Sequence, residues 1–211
     1  MKISRFHITL IVLIIFYTVG IAGIGFGLDA EMVNLSWMNL SLTGGLVLLN
    51  VAVKNRPFWI FSGAVFFSGL LVEIIGVQTG FPFGSYWYGE SLGLKLWGAP
   101  LVIGLNWWLL TYCSCNLVQS SIPGNNLIKS ALAAAAMLGL DTLIEPLCST
   151  LDFWHWQDSN IPLENYVSWF IIAFVFNYFY FNFFKDQKPN PLASIAFLVQ
   201  VLFFAILNWK L

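Results

Sequence analysis

The sequence predicts an all-α, polytopic membrane protein with about seven transmembrane helices, an N-terminus in the cytoplasm and a C-terminus outside. Three observations lead to this fold class. The 211 residues are 59% hydrophobic and only 9% charged, whereas soluble domains carry about 25% charged residues. Long apolar segments follow one another, with turn-forming residues between several of them. The basic residues gather in alternate connections, which orients the helices.

Each predicted span approaches the roughly 20 residues that a hydrocarbon core of about 30 Å requires. The spans cover about 8–28, 33–53, 58–77, 98–118, 127–147, 165–184 and 191–209. Neighbouring spans are separated by Asn55-Arg56-Pro57, by Pro123-Gly124-Asn125-Asn126 and by Lys188-Pro189-Asn190-Pro191. The first span is expected to be retained, because it is long and lacks the small-residue cleavage site of a signal peptide. We therefore predict a single transmembrane domain over residues 1–211.

The basic residues set the predicted orientation. One side of the seven-span arrangement receives Lys2, Arg5, Lys54, Arg56, Lys129, Lys185 and Lys188, and the other receives Lys95 and Lys210. This asymmetry predicts a cytoplasmic N-terminus and an outside C-terminus. We expect a multi-pass protein of the cell inner (plasma) membrane. Basic residues are otherwise sparse, so no nucleic-acid partner is expected.

Three carboxylates lie inside predicted spans: Glu73 in the third, and Asp141 and Glu145 in the fifth. Both spans run in the same direction, and at 1.5 Å per residue Glu73 and Asp141 lie roughly 21–23 Å from the inner boundary. Glu145 is one helical turn beyond Asp141, on the same face. We therefore expect the three acids at a common depth in the outer half of the membrane, beside the long loops 78–97 and 148–164.

The presence of carboxylates in these spans requires an explanation, because the free-energy cost of a charged group inside a bilayer is high even on lenient insertion scales. No lysine or arginine lies inside any predicted span to pair with them. Burial and mutual repulsion instead favour at least one neutral carboxylic acid, which is a group able to donate a proton. The alternative is structural, with protonated acids bonding to backbone between helices, but three acids at one depth favour a functional site.

The two outer loops are rich in aromatic residues. The first, Thr79-Gly-Phe-Pro-Phe-Gly-Ser-Tyr-Trp-Tyr-Gly89, is expected to be a compact, sharply turned loop that covers the acids. Aromatic faces stabilise nearby cations, although an aromatic belt at the membrane interface is the alternative. The residues expected to bind a substrate are Asn106, Phe81, Phe83, Tyr86, Tyr88, Trp107, Trp154 and His155. Asn106 would orient an acid or a water, or bond across helices, and His155 would shuttle protons or simply lie at the interface.

Several kinds of site lack support in the sequence. Cys113, Cys115 and Cys148 show no metal or disulfide spacing and are expected to be structural thiols. Span seven has no internal lysine for a retinal Schiff base, and no HExxH, glycine-rich phosphate loop or paired Asp-rich motif occurs. We therefore expect neither a metal ion nor an organic cofactor.

Long motifs run in order from about residue 65 to 170. They are Glu73-Ile-Ile-Gly-Val-Gln-Thr-Gly-Phe-Pro-Phe-Gly-Ser-Tyr-Trp-Tyr88, Leu92-Gly-Leu-Lys-Leu-Trp-Gly-Ala-Pro-Leu101, Asn106-Trp107, Asp141-Thr-Leu-Ile-Glu-Pro146, Phe153-Trp-His-Trp156 and Ile161-Pro-Leu-Glu-Asn-Tyr-Val-Ser-Trp169. This series resembles the carotenoid biosynthesis membrane proteins of bacteria and archaea, which include the carotenoid 1,2-hydratases of the bacterioruberin and myxol pathways. Glu145 departs from the family pattern, which has aspartate before the proline, so Asp141 is the stronger candidate for a catalytic acid.

The resemblance implies a cofactor-independent hydratase, a lyase that adds water to the terminal C1–C2 double bond of an acyclic (ψ) carotenoid end group. Protonation of C2 gives a tertiary cation at C1, which requires a desolvated acid, a dry aromatic pocket and one placed water. On this interpretation Asp141 is the acid, Glu73 and Glu145 hold the water or tune the acid, and Asn106 orients one of them. The implied partners are the carotenoid, membrane lipid and other enzymes of the carotenoid pathway.

Other functions remain open at this point. A carotenoid end-group cyclase begins with the same protonation but excludes water, so that a neighbouring double bond captures the cation. A proton-coupled transporter also uses carboxylates in the membrane, although no ionisable residue lies in the inner halves of the spans. A purely structural pigment-binding protein would tolerate carboxamides at all three acids.

Overall fold

The computed structural model describes residues 4–121, 123–158, 160–184 and 187–211, without the side chain of Ala30. Within these residues seven helices are long and apolar enough to cross a membrane. Their bounds lie within about four residues of the predicted spans, except that the first helix ends at Gly20, before the predicted end at 28. They are α1 (Arg5–Gly20), α2 (Ser36–Leu49), α3 (Arg56–Thr79), α4 (Leu101–Ser121), α5 (Asn126–Ile144), α6 (Leu163–Phe183) and α7 (Pro191–Lys210). The prediction of an all-α, multi-pass membrane protein is thus confirmed, with the orientation of its termini still a prediction.

Short irregular segments extend three of these helices. A π-helical segment (Ile21–Gly25) continues α1, a 3-10 segment (Ala30–Leu35) leads into α2, and a 3-10 turn (Glu145–Leu147) follows α5. Pro146 therefore lies just beyond the end of α5 rather than within it, because its ring cannot continue the helical hydrogen bonding.

The turn-forming residues of the sequence begin three of the helices. The Asn55 side chain accepts a hydrogen bond from the Phe58 N–H (3.1 Å) at the start of α3. Asn125 caps α5 and Asn190 caps α7 in the same way. An asparagine at this position satisfies a backbone N–H that the helix itself leaves free.

Helix α4 is the centre of the bundle and contacts α2, α3, α5, α6 and α7. Trp107 and Leu109 on this helix are fully buried. Small side chains let the neighbouring helices approach it, including Ala133 and Ala134 on α5 and Ala193 and Ala196 on α7, all of them buried. This central position brings Trp107 to the inner face of α3.

Hydrogen bonds between helix ends show that the helices alternate in direction. Asn50 Nδ2 donates to Thr9 Oγ1 (2.9 Å), which places the end of α2 beside the start of α1. Asn190 Nδ2 donates to the Val47 carbonyl (3.2 Å), which brings the start of α7 to the same place. We call this the asparagine end of the bundle.

The basic residues follow this alternation. The helix ends and connections at the asparagine end carry Arg5, Lys54, Arg56, Lys129 and Lys188. Lys95 and Lys210 belong to the opposite end, and Lys2 and Lys185 lie outside the described residues. The side of the membrane that the asparagine end faces stays a prediction.

The two outer loops pair with each other by short strands. The sequence analysis expected only a turned loop here, but β1 (Tyr86–Tyr88) pairs antiparallel with β4 (Trp154–Trp156). A second pair joins β2 (Lys95–Leu96) to β3 (Ala99–Pro100). The register of the first pair sets Tyr86 against Trp156, Trp87 against His155 and Tyr88 against Trp154. Strand residues that are 66 to 70 positions apart in sequence are therefore paired, and the two loops form one ordered cap over the bundle.

Candidate active site

The β1–β4 pair sorts its aromatic side chains onto two faces, because successive residues of a strand point in opposite directions. Tyr86, Tyr88 and Trp156 are buried toward the bundle. The residues between them in register, Trp87 and His155, stack on the other face with ring centroids 5.5 Å apart. The inward face therefore presents a row of O–H and N–H donors to the helices below.

Glu73 on α3 is held by three donors. Its Oε2 accepts hydrogen bonds from the hydroxyls of Tyr86 (2.6 Å) and Tyr88 (2.7 Å), and its Oε1 accepts one from Trp107 Nε1 (2.9 Å). Burial, together with the charge of Glu73, raises the pKa of both tyrosines well above the ordinary value, so the hydroxyls stay protonated and keep donating. This carboxyl group is 2% exposed and fully partnered.

Two glycines on the same face of α3 make room for these partners. Gly69 and Gly76 flank Glu73 at helical spacing. A methyl group at Gly69 would lie 2.6 Å from Trp107, and one at Gly76 would lie 2.7 Å from the Tyr86 hydroxyl. The donors can approach Glu73 this closely because glycine has no side chain at these two positions.

Glu145 has a matching set of partners from the other strand. Its Oε2 accepts from Trp156 Nε1 (2.9 Å) and Trp154 Nε1 (3.3 Å). Its Oε1 accepts from Asn165 Nδ2 (2.9 Å), at the start of α6. Since Glu145 begins the 3-10 turn after α5, its side chain lies directly beneath β4.

Asp141 differs from both glutamates. It is 2% exposed, and its Oδ2 atom is buried without a hydrogen-bond partner among the described residues. The Asn165 side chain is within hydrogen-bonding reach of the Asp141 carboxyl group, and the two glutamates are close enough to interact with it electrostatically. Within the described part of the chain, the ion pairs are Lys95–Glu90 and His155–Asp152, so no cation neutralises the three acids. A desolvated carboxyl group that has one oxygen without a partner favours its neutral form and is free to donate a proton.

A cavity of about 250 Å³ brings the three acids together. Apart from the acids and their partners, its wall is mostly apolar and aromatic, with Phe83, Leu110, Leu140, Ile144, Leu151, Phe153, Trp169, Phe203 and Phe204. The lining also includes four residues of α1 and of the segment around the start of α2 whose side chains are about half exposed, namely Phe16, Val19, Leu35 and Met38. The cavity thus runs from the carboxylates to the apolar outer surface of α1 and α2.

Most of the predicted substrate-binding residues meet at this cavity, in different roles. Phe83, Tyr86, Tyr88, Trp154 and Asn106 line it. The Asn106 side chain makes no hydrogen bond to any described residue, so the predicted bond to an acid is absent from this structure. Trp107 does not line the cavity, and its Nε1 donates a hydrogen bond to Glu73 Oε1.

Two predicted residues lie elsewhere. Phe81 is 75% exposed and absent from the cavity wall, because the turn before β1 directs it outward while Phe83 points in. His155 is on the outward face of β4, where its Nε2 lies 2.9 Å from Asp152 Oδ1. Neither position suits contact with a ligand in the cavity.

Sequence reasoning missed several residues of the site. Asn165 and Trp156 were part of the quoted motifs, and their proximity to Glu145 appears only in three dimensions. Trp169 stacks on Trp107 with centroids 4.2 Å apart and lines the cavity. Gln200, a polar residue within apolar α7, was the one signal that this helix also reaches the cavity.

Asp152 fastens the two loops to each other outside the spans. Its Oδ2 accepts from the Glu90 N–H (2.7 Å), and its backbone carbonyl accepts from Ser91 Oγ (2.6 Å). Desolvation would raise the pKa of this carboxyl group, but the hydrogen bonds from His155 and the Glu90 N–H outweigh it and lower the pKa. This contact holds β1 and β4 in register above the acids.

The cysteines and the remaining candidate metal ligands form no separate site. Cys113, Cys115 and Cys148 are free and buried. Burial, with the charge of Glu145, raises the pKa of Cys148 to about 12, so its thiol stays neutral. In the described ranges, no three His, Cys, Asp or Glu side chains are grouped to hold a metal ion.

Comparison with known proteins identifies the family. The profile of carotenoid biosynthesis proteins matches residues 36–211. A bisanhydrobacterioruberin hydratase from Haloarcula japonica is 26% identical over 152 residues, which cover 65% of this chain and 50% of that protein. The chain thus spans about half the length of this curated relative, and no solved structure matches it. Because the profile covers all three carboxylates, both aromatic strands and most of the bundle, the chain belongs to the carotenoid biosynthesis protein family.

Proposed function

We propose that this protein is a carotenoid hydratase of the cell inner membrane, which adds water to the terminal C1–C2 double bond of an acyclic end group. The observation that carries the proposal is the Asp141 carboxyl group, which lines an apolar cavity and whose Oδ2 has no partner among the described residues, beside two carboxylates with hydrogen bonds to both oxygens. The family supports a carotenoid substrate, and the similarity to a bisanhydrobacterioruberin hydratase supports hydration.

The cavity suits one end of a long polyene. The three acids lie in its wall, which also includes half-exposed apolar residues such as Phe16 and Met38. A carotenoid dissolved in the bilayer would insert its terminal isoprene units between α1 and α2 while the remaining chain stays in lipid. Burial of this apolar end supplies the binding free energy.

Protonation is the demanding step, since an isolated alkene is a weak base. Asp141 donates its proton to C2, and C1 becomes a tertiary cation. The aromatic faces of Trp169 and Phe83 and the carboxylates of Glu73 and Glu145 stabilise this positive charge. A positioned general acid contributes about 10²–10⁴-fold to such a reaction.

Water then adds to C1, and the excess proton returns to a carboxylate. The product is a tertiary alcohol, and alkene plus water balance without any oxidant or reductant. A cyclase would follow the same first step, but a neighbouring double bond in place of water would capture the cation. Product mass distinguishes the two outcomes, because hydration adds one water and cyclisation leaves the mass unchanged.

The test is expression of this chain in cells that accumulate an acyclic carotenoid, followed by mass spectrometry of the pigments. We expect products heavier by one or two waters from the parent chain and almost none from Asp141→Asn. Products of unchanged mass with cyclic ends would replace the proposal by cyclisation. Unaltered pigment would contradict both reactions.

A further inference from the structure

A second depression lies beside the cap and includes Glu145 in its wall. We call it the outer groove. Its wall includes Ser149, His155, Gln157 and Ile161. Ser149 and Gln157 are exposed, so this depression is open to the aqueous surface above the cap.

The outer groove and the apolar cavity share two side chains. Glu145 and Trp156 line both of them, and the hydrogen bond from Trp156 Nε1 to Glu145 Oε2 (2.9 Å) spans the wall between the two spaces. Glu145 thus has the apolar cavity on one side and a polar, open depression on the other.

Glu73 has no such access. Its partners Tyr86, Tyr88 and Trp107 enclose it, and neither Glu73 nor any of these three lines the outer groove. Asp141 is likewise absent from the groove and lines only the cavity. Of the three acids, Glu145 is therefore placed between the alkene and water.

From this geometry we infer that the outer groove is the water site of the reaction and that Glu145 is its general base. This inference rests on the proposed function, and it assigns the two substrates to separate entrances. The polyene enters from the lipid side between α1 and α2, and water enters through the groove past Trp156. The cavity around Asp141 therefore stays dry until the cation forms.

The chemical step balances with these assignments. Asp141 loses its proton to C2, and the oxygen of the water forms a bond to C1. One O–H bond of that water breaks, and the proton goes to the Glu145 carboxylate. Transfer of this proton back to Asp141, one helical turn away, restores both groups, so that each cycle consumes one water and releases no proton. Glu73, which is enclosed by three donors, remains an anion that stabilises the cation.

Accessibility of the two glutamate positions gives a test that needs no catalysis. In a chain whose three cysteines are replaced by alanine, Glu145→Cys and Glu73→Cys are exposed to a charged, water-soluble methanethiosulfonate in open membrane fragments. We expect Glu145→Cys to react at least about tenfold faster, since thiol modification follows access to water. Equal rates at the two positions would overturn the inference.

Two adjacent residues supply a matched pair for blocking the groove. Ser149 and Thr150 are both exposed, but only Ser149 lines the groove. Ser149→Trp should slow the labelling of Glu145→Cys at least about tenfold, while Thr150→Trp leaves it unchanged. Equal labelling with both tryptophans would show that water reaches position 145 by another route and would overturn the inference.

Hydration by the same pair completes the test, in chains that retain the native carboxylates. Ser149→Trp should lower the hydration rate at least about tenfold, with as much carotenoid bound as in the parent, and Thr150→Trp should behave as the parent does. Parental hydration by Ser149→Trp, or loss of its bound carotenoid, would refute the water route. If the parent chain hydrates no acyclic carotenoid, the proposed function fails, and the labelling rates still decide whether the groove leads to Glu145.

Discussion

Polar side chains are buried at both ends of the bundle, and the two groups differ in how they are partnered. At the asparagine end, Asn116 donates to the Tyr180 hydroxyl (3.0 Å) and accepts from the Asn190 N–H (2.6 Å). Asn177 nearby accepts from Cys115 Sγ (3.1 Å). At the cap end, the three carboxylates border a cavity, and Asp141 Oδ2 has no partner in the described part of the chain.

The difference separates structural from chemical use of polar groups in a membrane protein. Amide side chains that form hydrogen bonds with groups on other helices hold the bundle together. A buried carboxyl group that borders a cavity and has one oxygen without a partner suits a reaction with a bound molecule. The exposed fractions of the polar side chains are similarly low at both ends and do not distinguish the two groups.

The largest expected effect comes from removing the exchangeable proton of Asp141. Asp141→Asn keeps the size of the side chain, so bound carotenoid should be retained while hydration falls at least about 100-fold. Carotenoid content and hydrated product are both measured by chromatography of the purified protein. Thr142→Ala is the matched control, because the Thr142 hydroxyl bonds only to the Leu138 carbonyl within α5. A parental rate in Asp141→Asn would remove Asp141 as the acid.

A smaller loss is expected when Glu73 becomes an amide. Glu73→Gln replaces one accepting oxygen by an NH₂ group, which then faces one or two of the three donors. It also removes a negative charge from the cavity, and each hydrogen bond lost to a charged group costs about 1.5–3 kcal/mol. Hydration per bound carotenoid should fall about tenfold or more, through weaker stabilisation of the cation. Tyr86→Phe removes one of the three donors and should lose less. The opposite ranking of these two variants would mean that Glu73 serves only to position the cap.

At the asparagine end, substitution should change stability and leave chemistry unaltered. Asn116→Leu leaves the Asn190 N–H and the Tyr180 hydroxyl without this partner, at a cost of about 1–3 kcal/mol. A lower thermal midpoint in detergent is expected, with an unchanged hydration rate per folded molecule. A reduced rate at unchanged stability would show that the asparagine end takes part in the reaction.

The smallest expected effect concerns pH and the fastening of the cap by Asp152. Its folded pKa is lowered, so its contribution to stability is present above the unfolded pKa of about 3.9 and is lost as the pH falls through the folded pKa. After correction for intrinsic rates, hydrogen exchange at the Glu90 amide should therefore accelerate below about pH 4. In Asp152→Asn this acid-dependent step should disappear, and its persistence would assign the step to another group.

Much of the fold follows from the sequence by itself. A segment of about 20 apolar residues in lipid must form a helix, because its backbone has no other hydrogen-bond partners. This fixed seven helices, and the caps Asn55, Asn125 and Asn190 fixed where three of them begin. The cost of a charge in a bilayer likewise singled out Glu73, Asp141 and Glu145 before any contact was known.

Only the tertiary structure decided which of these acids lacks a partner. The donors to Glu73 are 13 to 34 residues away in the chain, and those to Glu145 come from β4 and from the start of α6. Such donors arrive through pairing of two distant loops, which no local periodicity encodes. The sequence predicted both Phe81 and Phe83 in the site, but only Phe83 lines the cavity. The directions of these two side chains depend on the conformation of the turn before β1, which the sequence pattern did not predict. The sequence predicted three carboxyl groups at one depth in the membrane. The long-range pairing of the cap supplies hydrogen-bond donors to both oxygens of each glutamate, and Asp141 Oδ2 has no partner among the described residues.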